Sequence, residues 1–319
     1  MCDLKLKYLL LFIAFSSCIA SAQVDSLFIG SYDQKLMIIG FVAKDFVFLE
    51  TIQPQSEQTY FPNNPARLGV GLSWKNSVLS FAYGYPFDFL REKKFGKTRF
   101  IDWQYHHYDR KFVFDLFLQR YKGFYMEDKK RSEPFILSPD LSVRQYGMNA
   151  NYIVNNKKFS YKAAFVQNEK QLRSAGSLLL GGGIYVTQIT SDSSFVYMDR
   201  RSFDNFQFGL SAGYAYTWVL GKRWFINGSC TVGINFGSEK VSSFGKQKLE
   251  VYPTVFPRMS IGYNHEKWAM SFVYISNITF PSYTEDHSIT LLAGKFQLSY
   301  IHRIEDLPFL SKLLDKLPF

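Results

Sequence analysis

The sequence predicts an all-β fold, a transmembrane antiparallel up-and-down β-barrel of about 12–14 strands. Three observations predict it. Five short hairpins each become wholly apolar on one face when their strands are paired across the turn. The reverse faces carry small or polar residues. An export leader opens the chain, and no apolar run long enough for a membrane helix follows it.

The hairpins justify themselves in chain order. Pairing across Lys75-Asn76 sets Leu72 against Leu79, Val70 against Phe81 and Leu68 against Tyr83, with Gly69, Gly71, Ser80 and Ala82 behind. A loop at Asp109-Arg110 sets Tyr105 against Phe114, Trp103 against Leu116 and Ile101 against Leu118, and its reverse face pairs Gln104 with Asp115 and Phe100 with Gln119. A loop at Asn155-Asn156 aligns Tyr152 with Phe159, Ala150 with Tyr161 and Tyr146 with Phe165. A three-residue loop, Leu220-Gly221-Lys222, sets Trp218 against Trp224, Tyr216 against Ile226 and Phe208 against Ile234. Across His265-Glu266, Tyr263 meets Trp268, Ile261 meets Met270 and Met259 meets Phe272. Strand side chains alternate with period two, so such registers mark two-faced sheets.

A soluble sandwich or lipocalin-like barrel would turn the apolar face inward. An outer-membrane barrel turns it to lipid and lines the lumen with the other face. Phe, Trp and Tyr make up 18% of the chain, as the aromatic girdles of membrane barrels require. The opposite faces hold Gly, Ser, Ala, Asn and Gln but few Lys or Glu, whereas a solvated face carries many charges. Segments such as 141–154 and 205–219 exceed the ~9–11 residues of a tilted membrane strand. Trp103, Leu116, Phe165, Trp218 and Trp268 are accordingly expected to face lipid.

Candidate strands are 34–42, 45–53, 66–74, 77–85, 98–108, 111–121, 141–154, 157–168, 175–189, 205–219, 223–236, 249–264, 267–279 and 288–303. Long connections belong on one side of a membrane barrel and short turns on the other. Here the first three long connections (54–65, 86–97, 122–140) and the last three (191–204, 237–248, 280–287) fall on opposite sides. The phase changes near 169–176, so one strand is missed, split or invented, and twelve strands remain as open as fourteen.

Residues 1–22 read as a signal peptide: Lys5 and Lys7, the apolar run 8–15 and the small-residue site Ala20-Ser21-Ala22. Lipidation at Cys18 is the alternative, for which Phe15 fits poorly. The barrel domain spans 23–304. Residues 305–319 form a short amphipathic tail, with Leu310, Leu313, Leu314 and Leu317 at helical spacing. Cys230 is the one cysteine after the leader, which excludes an internal disulfide and a cysteine metal site. The net charge of +10 gathers partly in Lys93, Lys94, Lys97 and Arg99 and in Lys129, Lys130 and Arg131. Solvated loops explain it plainly, and attraction to lipid phosphate or an anionic solute is the functional alternative. No nucleic-acid-binding module is present.

No cofactor or metal is expected: His106 and His107 point to opposite faces, and no HExxH spacing occurs. The distinctive set is polar and lumenal. Asp102, Gln104 and His106 share a face with Asp115 and Gln119. Gln145 and Asn149 share one with Lys162, Asn151 and Asn168, and Arg258 lies on a third small-residue face. Buried polar groups require partners, so a side-chain plug is one expectation. A hydrophilic lumen that selects a solute is the other.

The runs KTRFIDWQYHHYDRKFVFDLFLQRYKGFY (97–125) and KFSYKAAFVQNEKQLRSAGSLLLGGGIY (158–185), with Tyr32-Asp33-Gln34-Lys35-Leu36 and Gly213-Tyr214-Ala215-Tyr216-Thr217, resemble an uncharacterised outer-membrane β-barrel family of Bacteroidetes, a domain of unknown function. The resemblance covers most of the chain after the leader. It implies fold and an outer-membrane location among lipid, and carries over no site residues. Three functions stay open. The first is a channel or transporter for a small polar solute, with some preference for anions. The second is a structural or surface-binding barrel with a closed, side-chain-filled lumen. The third, a rim-sited enzyme acting on lipid or peptide, trails, and no catalytic residues are assigned.

Overall fold

The computed structural model describes residues 24–304 except 35, 55, 75–76, 85–93, 128–134, 193–194 and 239–249. The leader 1–22, the tail 305–319, Lys93, Lys129, Lys130 and Arg131 lie outside the described residues. The strands are β1 (Ile29–Ser31), β2 (Leu36–Gln53), β3 (Ser56–Phe61), β4 (Arg67–Trp74), β5 (Ser77–Gly84), β6 (Arg99–Tyr108), β7 (Phe112–Glu127), β8 (Phe135–Ile153), β9 (Glu169–Gln171), β10 (Ala175–Thr190), β11 (Ser202–Leu220), β12 (Trp224–Ser238), β13 (Glu250–Asn264), β14 (Trp268–Tyr283) and β15 (Ser288–Ile304). A short helix, α1 (Tyr161–Phe165), precedes β9.

The sheet is antiparallel and closes on itself. β15 pairs with β2 along its whole length. The hydrogen-bonded ring runs β2, β3, β7, β8, β10, β11, β12, β13, β14, β15 and back to β2, which is ten strands. That is fewer than the twelve to fourteen expected. The reason is a fork. β3 and β4 both pair with β2 and continue one another, interrupted by residues 62–66 with Pro62 and Pro65. At one end β3 meets β7 directly. At the other end β4 pairs with β5, and β6 pairs with β7. Twelve described strands therefore surround the second end.

The fork is sealed by side chains. The Asn63 backbone N–H donates to Thr98 Oγ1 at 2.7 Å and its amide to the Gly96 carbonyl at 2.8 Å, while Thr98 donates to the Gly123 carbonyl at 2.6 Å. Gly123 has φ +89°, and a Cβ there would meet the Lys97 carbonyl oxygen at 2.3 Å, so the bulge in β7 needs glycine.

Two expected strands were miscounted. Segments 34–42 and 45–53 form the single strand β2, because Lys44 and Asp45 are no turn. Lys44 bonds the Asn64 carbonyl, and Asp45 pairs with Arg67. Segment 157–168 is not a strand and the Asn155-Asn156 hairpin does not form. The chain turns there into α1 inside the barrel. With both errors removed, all six long connections gather at the β3 end. The opposite end holds short turns, the start of β2 and the end of β15.

Three hairpin registers differ from expectation by two residues. Tyr105 lies opposite Leu116, Trp218 opposite Ile226 and Tyr263 opposite Met270, because each turn sits one residue later. Asp109 and His265 close their turns by donating to the Phe112 and Trp268 carbonyls at 2.8 Å. Moving a turn by one residue shifts the pairing by two, so the faces are kept. The register across 75–76 is as expected. The outer face is apolar around the ring, with Leu210 79% exposed, Ile101 65% and Ile234 60%. Cys230 also points outward and is exposed.

Candidate functional site

The interior of the barrel is the candidate site, and it is filled at three levels. At the short-turn end, residues 24–32 and 154–174 enter the lumen as a plug. β1 pairs with β9, and Ser160 caps α1 by accepting from the Ala163 N–H. Phe159, Ala164 and Gln167 are completely buried. Tyr161 and Phe165 stack on Tyr108 of β6, centroids 5.9 and 5.3 Å apart. Phe165 therefore packs in the plug and does not face lipid, and the alternation that suggested a strand belongs to a segment buried on most sides. Burial pushes the Tyr161 phenol up to about 12, which keeps it neutral.

The plug is latched to the turn Asp109-Arg110. Lys162 lies 3.4 Å from Asp109, and Arg110 lies 2.6 Å from Glu169. Burial raises the Asp109 carboxyl, but the Arg110 backbone N–H and the Lys162 ammonium more than offset this and hold it below the usual range. Arg303 of β15 donates to the Gln167 carbonyl at 2.9 Å, and its guanidinium covers the Tyr32 ring at 3.5 Å. Lys162 is thus a latch residue on α1 rather than a partner of Asn149 across a hairpin.

The middle level is polar. Asp115 of β7 pairs with Arg258 of β13, five strands away around the ten-strand ring, and accepts from His106 Nδ1 at 2.7 Å. Arg258 also donates to the Tyr108 hydroxyl at 3.4 Å. Gln145 of β8 donates to Thr279 of β14 at 2.8 Å, again five strands away. Asp102 accepts from Gln104 at 2.8 Å, from Gln119 at 3.1 Å and from Tyr121. Asn149 donates to the Tyr185 hydroxyl at 3.1 Å and accepts from Asn151 at 2.6 Å. Gln104 is not opposite Asp115. His106 takes that place, and Gln119 lies opposite Asp102. The inward Asp45, Asp102 and Asp115 lie among the inward Arg67, Lys295 and Arg258.

Among the described residues, four glycines in the wall lie opposite phenylalanines, one of them Gly294 facing Phe46. Phe41, Phe117 and Phe225 stand directly opposite Gly69, Gly147 and Gly262. A Cβ on these glycines would meet the rings at 2.1, 2.1 and 2.4 Å. Gly69, expected to leave space on one wall, instead receives the Phe41 ring, the pairing that rescues glycine in sheets.

At the long-loop end an apolar cluster closes the interior. Phe195 and Tyr197 from the β10–β11 connection are 1% exposed and pack with Tyr60, Tyr121, Leu141 and Leu291. Tyr197 bonds Ser282 at 3.1 Å, and Asp140 accepts from Ser191 at 2.7 Å. On the outer face, Trp103 and Trp218 are each 48% exposed, Leu116 alternates outward with exposed Leu118, and Trp268 stacks on Tyr263. No group of three or more residues that could hold a metal occurs among the described residues.

A family model described as Domain of unknown function (DUF4421) matches residues 23–303. No curated protein matches the chain. Solved structures align loosely. OmpT of Vibrio cholerae, an outer membrane protein in its in-vitro folded trimer form, is 8% identical with a TM-score of 0.29, over 83% of this chain and 99% of its own. A FadL homologue of Pseudomonas aeruginosa is 9% identical with a TM-score of 0.24, over 86% and 91%. The toluene transporter TodX of Pseudomonas putida is 8% identical with a TM-score of 0.21, over 85% and 90%.

Proposed function

We propose that this chain, which belongs to the DUF4421 family, is an outer-membrane barrel with a closed lumen that works through its surfaces rather than as an open pore. The membrane reading is supported by the outer face. Exposed Leu, Ile, Val, Phe, Tyr and Trp follow one another around the ring, far beyond the few hundred Å² of apolar patch that a water-soluble surface tolerates. Long connections at one end and short turns with both barrel termini at the other fit the asymmetry of such barrels. Cys230 supplies a direct test. In intact membranes a lipophilic maleimide should label it and a membrane-impermeant one should not; rapid labelling by the impermeant reagent refutes the membrane reading.

The closed lumen rests on the diametric bonds Arg258–Asp115 and Gln145–Thr279. Side chains that bond across the axis leave no aqueous path between them. Planar bilayers containing the wild-type protein should carry no steady conductance, and stable ohmic steps would overturn this reading.

A gated transporter is the second reading. It is favoured by the 154–174 excursion being tied to a single wall turn by two ion pairs, an arrangement that can release without unfolding the wall. A rim hydrolase has less support: the His106–Asp115 pair is buried beneath Arg258 and offers no face to a substrate.

A further inference from the structure

On the outer surface the apolar belt gives way to cations in one sector. Towards the long-loop end, outward positions run from Ile101 to Arg99 on β6, from Leu118 through Arg120 to Lys122 on β7, and from Tyr146 to Arg144 on β8. The register sets Arg120 directly opposite Arg144 and Arg99 directly opposite Lys122. Directly opposed like charges destabilise a sheet, and here two such pairs sit side by side. No ion pair joins any of the four to a carboxylate among the described residues. Along the same row the next outward residues are Gln188 on β10 and then Asp204 on β11, so the nearest carboxylate in that direction is two strands from Arg144. At the loop ends of β12 and β13 the outward residues are Phe236 and Val251. Among the described outward strand positions at this end, the cations therefore lie on β6–β8.

We propose that Arg99, Arg120, Lys122 and Arg144 bind the phosphate-bearing headgroup of a lipid in the leaflet at the long-loop end. This inference rests on the membrane reading above. Guanidinium groups match phosphate oxygens in a fork geometry, and a phosphate set between two opposed cation pairs removes their mutual repulsion. A lipid is the occupant rather than a free anion because the cations continue the apolar belt. Ile101, Leu118 and Tyr146 lie one outward step away, about 7 Å along the strand, where acyl chains attached to a bound headgroup would run.

The test uses variants that keep a single tryptophan. One keeps Trp103, in the cationic sector, and the other keeps Trp218 on β11; the remaining tryptophans become Phe. In vesicles of brominated phosphatidylcholine both should be quenched, and loss of quenching in this arm refutes the membrane reading itself. In unbrominated phosphatidylcholine with a minor fraction of brominated phosphatidic acid, Trp103 should be quenched as though that lipid were enriched about fivefold around it, and Trp218 should report the bulk fraction. High salt should lower the enrichment at Trp103 in the unsubstituted cluster, as should R120Q combined with R144Q. Bulk-level quenching at Trp103, or equal enrichment at both tryptophans, with the phosphatidylcholine arm intact, overturns the site.

Discussion

Replacing Arg258 by Met tests the bond that spans the lumen. Arg258 and Asp115 come from diametrically opposed strands, and Asp115 is 1% exposed. Without the guanidinium, Asp115 keeps the His106 ring as its one hydrogen-bonding side chain among the described residues, and the Tyr108 hydroxyl loses a donor. Breaking a buried pair by removing one partner costs about 3–5 kcal/mol. A lost neutral hydrogen bond on its own is worth about 1 kcal/mol, so the stranded carboxylate is the larger part of the loss. Replacing both partners, Asp115→Leu with Arg258→Met, removes that carboxylate and should restore stability to within about 1–2 kcal/mol of wild type. With Asp115→Leu alone costing a similar ~3–5 kcal/mol, the double-mutant cycle should then give a coupling of at least about 4 kcal/mol, above what ordinary contacting residues show. The assay is denaturant unfolding in lipid vesicles followed by tryptophan fluorescence, with the m-value checked for constancy. An R258M protein within about 1 kcal/mol of wild type, or a double variant whose loss equals the sum of the singles, refutes the cross-lumen bond as a determinant of stability.

On the gated reading, cutting the plug latch with Asp109→Asn and Arg110→Gln should produce intermittent conductance in planar bilayers at neutral pH, and a silent variant removes that reading and leaves the closed lumen. Because the folded Asp109 carboxyl is depressed, its contribution is complete above the unfolded carboxylate value of about 4 and is lost as pH falls through the lower folded value. Wild-type openings are therefore expected only in strong acid. Gly147→Ala should cost about 1–3 kcal/mol, because Phe117 must move off the new Cβ. Gly40→Ala, with nothing within 4 Å of its Cβ, should stay within about 0.5 kcal/mol of wild type, and equal losses at the two sites would refute the ring-on-glycine account.

What was legible in the sequence was parity. Turn positions at 109–112, 220–224 and 265–268 were each off by one residue, yet Trp103, Leu116, Trp218 and Trp268 still fall outward and Asp102, Asp115, Gln119 and Arg258 inward. A turn displaced along the chain changes partners in steps of two and cannot exchange the faces. Identity of partners was less legible, since His106 and Gln104 sit two apart on one face and either satisfies the alternation. The plug was not legible as a plug. Tyr152, Phe159, Tyr161 and Phe165 reproduce a strand's apolar spacing, while a chain folded into the lumen buries such residues for a different reason. Two signals pointed to it. Asn155, Asn156, Lys157, Lys158, Lys162, Gln167, Asn168 and Glu169 are denser in polar and charged groups than the small-residue lumen wall of the other hairpins. The long connections also lost their phase at 169–176, next to the segment wrongly counted as a strand.

The same defect bears on function. An up-and-down barrel returns its chain to the same side after every pair of strands, so an even count fixes both barrel termini at one end. The described wall meets this with β2 beginning and β15 ending at the short-turn end. The plug leaves the wall after β8 and re-enters it at β10 on that same side, so it adds no crossing and leaves the alternation of loops intact. It also brings residues 24–32 into the lumen beside it, through β1 and β9. The first segment of the barrel domain and a mid-chain excursion thus close one mouth together, while the β10–β11 connection closes the other with Phe195 and Tyr197. Sealing the two mouths from separate parts of the chain means that releasing the latch at Asp109-Arg110 opens only the short-turn side. Continuous passage would further require Phe195 and Tyr197 to leave the cluster around Tyr60 and Tyr121 and the Arg258–Asp115 and Gln145–Thr279 bonds to part, so on the gated reading a latch variant conducts at most intermittently.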